Sequence, residues 1–164
     1  MAIALTVCPA ACADAGIISR ILIHSIERGC ALDHRNAPLI VQAWTRHKST
    51  ADVLAWLAQS RLYLNLALLD DKPVGIGMAR ADGRIALCYV QPEWFRRGAG
   101  RALMADLEAW LQRRLCRRAC LNSTRTAVDF YRRLGYRPCA PRFGIAGLMA
   151  TPMEKLLPQS PAGE

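Results

Sequence analysis

Two clusters in this 164-residue chain carry residue types that chemistry needs. The first is Arg96-Arg97-Gly98-Ala99-Gly100-Arg101, three arginines around two glycines. It follows an apolar stretch, residues 85–90, that reads as a strand stopped by Pro92, and it precedes a helical pattern. A helix start leaves backbone N–H groups unpaired, and the helix dipole adds partial positive charge there. Glycines lack the Cβ that would keep a phosphate oxygen from the main chain, and guanidinium groups offer it a fork of donors. The cluster reads as an anion-binding turn. The second cluster is Phe130-Tyr131-Arg132-Arg133-Leu134-Gly135-Tyr136. A phenol with its ordinary pKa of about 10 is protonated at neutral pH and can give up its proton as a general acid. By periodicity alone, Phe130 and Tyr131 also fit consecutive aromatics of an amphipathic helix, one buried and one half-exposed.

The stretch from Arg96 to Leu103 resembles the pyrophosphate-binding motif of the GNAT superfamily of N-acetyltransferases, Gln or Arg, two variable residues, Gly, one variable residue, then Gly or Ala. Phe95 stands where that motif opens on a polar side chain. Val128-Asp129-Phe130-Tyr131, continuing to Gly135-Tyr136, is similar to the family's Phe-Tyr-x-x-x-Gly-Phe segment, at the expected separation and in the expected order. The motifs cover residues 74–136, and element order extends the resemblance to residues 3–63.

The resemblance implies an α+β (mixed α/β) fold with a central mixed, mostly antiparallel twisted sheet and helices on both faces. It implies acetyl-CoA as co-substrate, its pyrophosphate on Arg96, Arg97, Gly98, Ala99, Gly100, Arg101 and Ala102. The pantetheine arm is expected along strand residues 87–90, which brings in Cys88, Tyr89 and Val90, with Asn122 on the strand that splays away. Tyr131 is the expected general acid in a direct transfer, within a ternary complex, to an amine of a small molecule or peptide. The loop between the first two helices shapes the acceptor pocket in that family, so Glu27, Asp33 and His34 are expected substrate contacts. They and a water chain are also candidates for the base, since residues 84–90 carry no carboxylate. Phe95 and the missing base leave a coenzyme-binding sensor without turnover as an alternative, and the resemblance favours a homodimer.

These clusters need elements to hold them. Residues 3–7 read as a first strand, and 11–28 as a helix with Ile17, Ile18, Ile21, Leu22 and Ile26 at helical spacing, Asp14 in its first turn and Gly29 at its end. Residues 30–36 read as a polar loop, Pro38 opens a second helix, and Ser49 or Thr50 a third. Residues 62–69, 74–81 and 84–90 form an antiparallel meander turning at Asp82-Gly83. A helix over 98–114 buries Leu103, Leu107, Trp110 and Leu111. A strand over 119–122, a helix ending at Gly135, and strands over 136–139 and 148–155 complete the chain. Residues 1–157 are read as one domain and 158–164 as a disordered tail.

Composition bounds the rest. Hydrophobic residues make up 52% and charged residues 21% with no membrane-spanning run, and residues 1–12 lack a basic leader, so a cytoplasmic protein with no membrane partner is expected. The seven cysteines are odd in number, without a Cys-x-x-Cys pair or companion histidines, and are read as buried thiols rather than metal ligands. The net charge of +9 concentrates in residues 96–142, where twelve arginines face Asp106, Glu108 and Asp129. Such a face attracts anions, which admits a nucleic-acid-binding module. The arginines lack interleaved aromatics for base stacking and no helix-turn-helix or zinc pattern is present, which argues against it.

Overall fold

The computed structural model describes residues 2–159. Four antiparallel strands, β1 (Leu5–Pro9), β2 (Leu62–Leu69), β3 (Lys72–Arg80) and β4 (Ile85–Val90), lie side by side in chain order. The apolar run of β2 makes it an inner strand buried on both faces, and the turn at Gly83, φ +97°, closes the β3–β4 hairpin. A second antiparallel sheet has β5 (Arg118–Thr124) against β8 (Leu148–Leu156), which also pairs with β6 (Arg137–Pro138) and β7 (Phe143–Ile145). The two sheets meet at a parallel bridge between Arg84 and Cys120, where Cys120 N–H donates to the Gly83 carbonyl at 2.9 Å. Past that bridge β4 and β5 diverge.

Helices cover both faces, as expected. On one face α1 (Ala15–His24) and α4 (Thr50–Leu57) bury Ile18, Ile21, Leu22 and Val53 against Leu64, Leu66, Ile76 and Met78. Ser49 caps α4: its hydroxyl accepts from Asp52 N–H, and the Asp52 carboxylate accepts from Ser49 N–H. On the other face α5 (Ala99–Arg113) buries Leu103, Leu107 and Leu111, while Trp110 is half-buried and stacks on Tyr63 at 5.3 Å. The short α6 (Val128–Arg133) ends at Gly135, φ +95°.

Several expectations change. The helix expected over 11–28 is a 3-10 turn at Cys12–Asp14, then α1, then a π-turn at Ser25–Gly29. The expected polar loop contains a helical turn, α2 (Ala31–His34), which precedes α3 (Pro38–Thr45). β7 was not expected, because three exposed residues carry no burial pattern. It forms by pairing across the turn at Ala146-Gly147, both at positive φ. None of the seven cysteines is fully buried: Cys8, Cys12 and Cys139 are exposed and the others half-buried. Pro158 and Gln159 are held, the Pro158 carbonyl by Gln112 at 2.7 Å and the Gln159 amide by the Cys116 carbonyl at 3.1 Å. The rest of the expected tail lies outside the described residues.

A buried polar network fastens β2 to α5. The Tyr63 hydroxyl and Asn65 Nδ2 both donate to Asp106 Oδ2, at 2.7 and 2.8 Å, and Asn65 Nδ2 also reaches the Leu103 carbonyl. Gly77 makes room for this arrangement, since a Cβ there would collide with Asn65 Oδ1 and lie 2.8 Å from Leu107 Cδ1. We expect Gly77→Ala to destabilise the fold by about 2–3 kcal/mol, the cost of overpacking a close-packed core. Urea denaturation with an unchanged m-value would check this, and an unchanged midpoint would refute it.

Candidate active site

The divergence of β4 from β5 opens a cavity of about 660 Å³ between the sheets. One wall is the free edge of β4. Gln91 N–H donates to the Val74 carbonyl at 2.9 Å, which sets the ladder's phase: Tyr89 pairs with Ile76 on β3, and the main-chain groups of Cys88 and Val90 point away, into the gap. A bulge shifts the β3–β4 register between Met78 and Ala79. It leaves Ala86 and Leu87 both packed toward α1, while Ile85 and Cys88 pack toward α5.

The arginine-glycine turn forms the end of the cavity. After a 3-10 turn at Pro92–Trp94, Arg96 takes φ +59° and Gly98, the N-cap of α5, takes φ +87°. The first α5 bond is Ala102 N–H to the Gly98 carbonyl, 3.0 Å, so the N–H groups of Ala99, Gly100 and Arg101 have no helical partner. Gly98 is required for its torsion rather than for space, because its absent Cβ would meet only Leu5 Cδ2 at 3.5 Å. Gly100 differs. The place of its Cβ is taken by the Phe130 ring, at 3.1 Å, so this glycine admits an aromatic from α6 as well as bordering the cavity. Arg96 and Arg101 line the cavity, whereas Arg97 lies over the Trp94 ring at 5.3 Å and is outside the lining, as is Ala102.

Tyr131 reaches the cavity from α6, between Phe130 and Tyr136 with ring centroids at 5.1 and 5.8 Å. It is buried, and no hydrogen bond to its hydroxyl occurs among the described residues. Burial pushes its pKa well above the ordinary phenol value, and Cys88, Tyr89 and Cys30 push it the same way. Burial likewise raises the Cys30 and Cys88 thiols to about 12. Asn122 lines the opposite wall on β5.

The three expected substrate contacts separate. Glu27 is exposed on the π-turn and borders a different, shallow depression. His34 is 1% exposed with both ring nitrogens occupied: Nε2 donates to the Ile26 carbonyl at 2.8 Å and Nδ1 accepts from Asn36 N–H at 3.0 Å. It is a strut under the π-turn, not a group offered to the cavity. Asp33 gives both oxygens to Thr126, accepting from its hydroxyl at 2.5 Å and its N–H at 3.2 Å, and so ties α2 to the start of α6 across the cavity rim. The sequence did not reveal Ser25, Cys30 and Leu32 as cavity residues, since the π-turn that carries Ser25 and the short α2 that follows it leave no mark in apolar spacing.

All four tyrosines, Tyr63, Tyr89, Tyr131 and Tyr136, have pKa values raised, by burial first and at Tyr63 and Tyr136 also by bonds to Asp106 and Glu108. They remain protonated in the folded protein at pH values where the unfolded chain has begun to ionise. Their contribution is therefore complete below the ordinary phenol range and lost as pH rises through it, with Cys30 and Cys88 adding to the loss from about pH 9. Each fully shielded group contributes a slope of at most about 1.4 kcal/mol per pH unit. Phenolate absorbance is expected to appear only with alkaline unfolding. A phenolate signal at about pH 10 with native circular dichroism would contradict this.

Among the described residues no helix is long and apolar enough to cross a membrane. The family model described as the acetyltransferase (GNAT) domain matches residues 34–157. No curated protein matches the chain. Solved structures do. A GCN5-related N-acetyltransferase from Rhodopseudomonas palustris is 26% identical with TM-score 0.83, the match covering 96% of this chain and 99% of that one. The paia N-acetyltransferase of Thermoplasma acidophilum, in complex with coenzyme A, is 14% identical with TM-score 0.78, covering 93% and 99%. The yncA protein of Salmonella typhimurium, with its cofactor acetyl-CoA, is 20% identical with TM-score 0.71, covering 98% of each chain.

Proposed function

Because the chain belongs to the GNAT acetyltransferase family, we propose that it is an N-acetyltransferase that moves the acetyl group of acetyl-CoA to a primary amine by direct attack in a ternary complex. The observation that carries this reading is the hydroxyl of the buried Tyr131 side chain, without a hydrogen-bond partner among the described residues, on the wall of a cavity that ends in the unpaired N–H groups of α5. The cavity's chemistry fits acetyl-CoA from one end to the other. The α5 N-terminus with Arg96 and Arg101 suits a pyrophosphate, and the outward main-chain groups of Cys88 and Val90 suit an amide-bearing arm. The coenzyme-bound and acetyl-CoA-bound relatives support the same ligand.

Bound acetyl-CoA supplies an activated acetyl thioester and a thiol leaving group. Ala99, Gly100 and Arg101 N–H groups hold the diphosphate, and the β4 edge aligns the arm. Tyr131 holds a proton at Oη for the departing sulfur, and its raised pKa keeps that proton in place through neutral and mildly alkaline pH. The surrounding Phe130, Leu121 and Leu87 exclude water from the reacting end. The test is thiol release from acetyl-CoA with a panel of primary amines, with acetylated product identified by mass. Tight acetyl-CoA binding with no product from any amine would favour the sensor reading, and absence of acetyl-CoA binding by folded protein would remove both.

A further inference from the structure

The acceptor end of the cavity has a composition that selects among amines. Three charged side chains line the cavity, Arg96, Arg101 and Arg133, and no carboxylate does. The acidic groups close by are turned elsewhere: Asp33 gives both oxygens to Thr126, Glu93 is bonded to His24 at 2.7 Å, and Glu27 is exposed and borders the separate shallow depression. At the mouth stand two exposed apolar side chains, Leu32 at 75% and Phe95 at 49%. Phe95 closes toward the π-turn, where its ring tip would lie 3.4 Å from a Cβ on Gly29.

The π-turn also carries an orphan. Ser25 is 1% exposed, lines the cavity, and its hydroxyl has no hydrogen-bond partner. A buried hydroxyl left unpaired is costly, and single π-turns are frequent at functional sites. The turn is held from behind, by His34 on the Ile26 carbonyl, by the edge of Trp44 on His34 at 6.0 Å, and by Trp44 Nε1 on the Tyr89 hydroxyl at 2.9 Å. Ser25 therefore sits on a rigid wall rather than on a loop.

We propose that the acceptor is a single-amine molecule with an apolar body, its nitrogen bonded by the Ser25 hydroxyl in a carboxylate-free chamber and its body lying on Leu32 and Phe95. This rests on the acetyltransferase reading. An ammonium entering such a chamber loses water and gains no counter-charge, so the neutral amine is favoured and no side-chain base is needed before attack; the proton that nitrogen sheds as the amide forms returns to the Tyr131 oxygen, which has given its own to the departing sulfur. A second ammonium on the same molecule would meet the same desolvation, again with no carboxylate in the lining to pair with it. The chamber thus disfavours polyamines and accepts hexylamine or phenethylamine.

The test compares amines matched in length and differing by one ammonium. Hexylamine and phenethylamine are expected to exceed hexamethylenediamine and spermidine in kcat/KM by about tenfold or more. Ser25→Ala is expected to raise the acceptor KM about tenfold while leaving acetyl-CoA affinity unchanged and the melting temperature equal or higher, because it removes an unpaired polar group. A hydroxyl with a merely structural part would instead lower the melting temperature and leave KM alone. Equal or faster turnover of the diamines, no turnover of either monoamine by protein that binds acetyl-CoA, or an unchanged acceptor KM in Ser25→Ala would each overturn the proposal. Failure to bind acetyl-CoA at all would refute the acetyltransferase reading instead, which separates the two.

Discussion

Tyr131→Phe is expected to lower kcat by roughly a hundred- to ten-thousand-fold, the usual contribution of a positioned acid, while leaving the fold intact. The reason lies in what the hydroxyl does not do. It bonds to no group among the described residues, so its removal breaks no native contact, and the ring keeps its edge contacts with Phe130 and Tyr136. Acetyl-CoA affinity is expected to stay within a few-fold of the parent, because the phosphate and arm contacts proposed for it come from α5 and β4. The alkaline limb of the kcat profile should lie above the ordinary phenol value of about 10, since burial raises the Tyr131 pKa. A variant with parental kcat would remove Tyr131 from the chemistry, and one that melts early would show that the hydroxyl carries a structural bond.

Gly98→Val is the second large effect, and it acts on binding. At φ +87° a β-branched residue is strongly disfavoured, so the N-cap must rearrange and the N–H groups of Ala99, Gly100 and Arg101 lose their common direction. Loss of two charge-assisted hydrogen bonds, at about 1.5–3 kcal/mol each, weakens acetyl-CoA binding by two or more orders of magnitude. The strain itself costs about 1–3 kcal/mol of stability. Calorimetric titration separates the two terms, since the melt of the variant without ligand reports only the second. In the parent, acetyl-CoA at 100 times its dissociation constant should add about 2.7 kcal/mol, and this gain should vanish in Gly98→Val. Gly100→Val is expected to damage the site by another route, by displacing Phe130 and with it the neighbouring Tyr131.

The sequence alone determined the elements whose signals are local. The nearly continuous apolar run of β2, the helix start at Ser49 or Thr50, the Asp82-Gly83 hairpin, the leucine stripe of α5 and the Gly135 stop each arise from a few neighbouring residues, and each stands where those residues place it. The glycine turn was legible for the same reason: unpaired N–H groups and a positive φ are properties of a strand-to-helix junction of that composition. Tertiary structure decided the rest, because burial and partnership depend on residues distant in the chain. His34, expected as a substrate contact in a polar loop, is a strut because Ile26 and Trp44 close around it. Asp33 acquired a structural tie when Thr126, 93 positions later, took both its oxygens. Gly100 acquired a second purpose only because α6 brings Phe130 against it. The cavity itself follows from β4 and β5 touching at Arg84 and Cys120 and parting beyond, a relation between two sheets that no stretch of sequence contains.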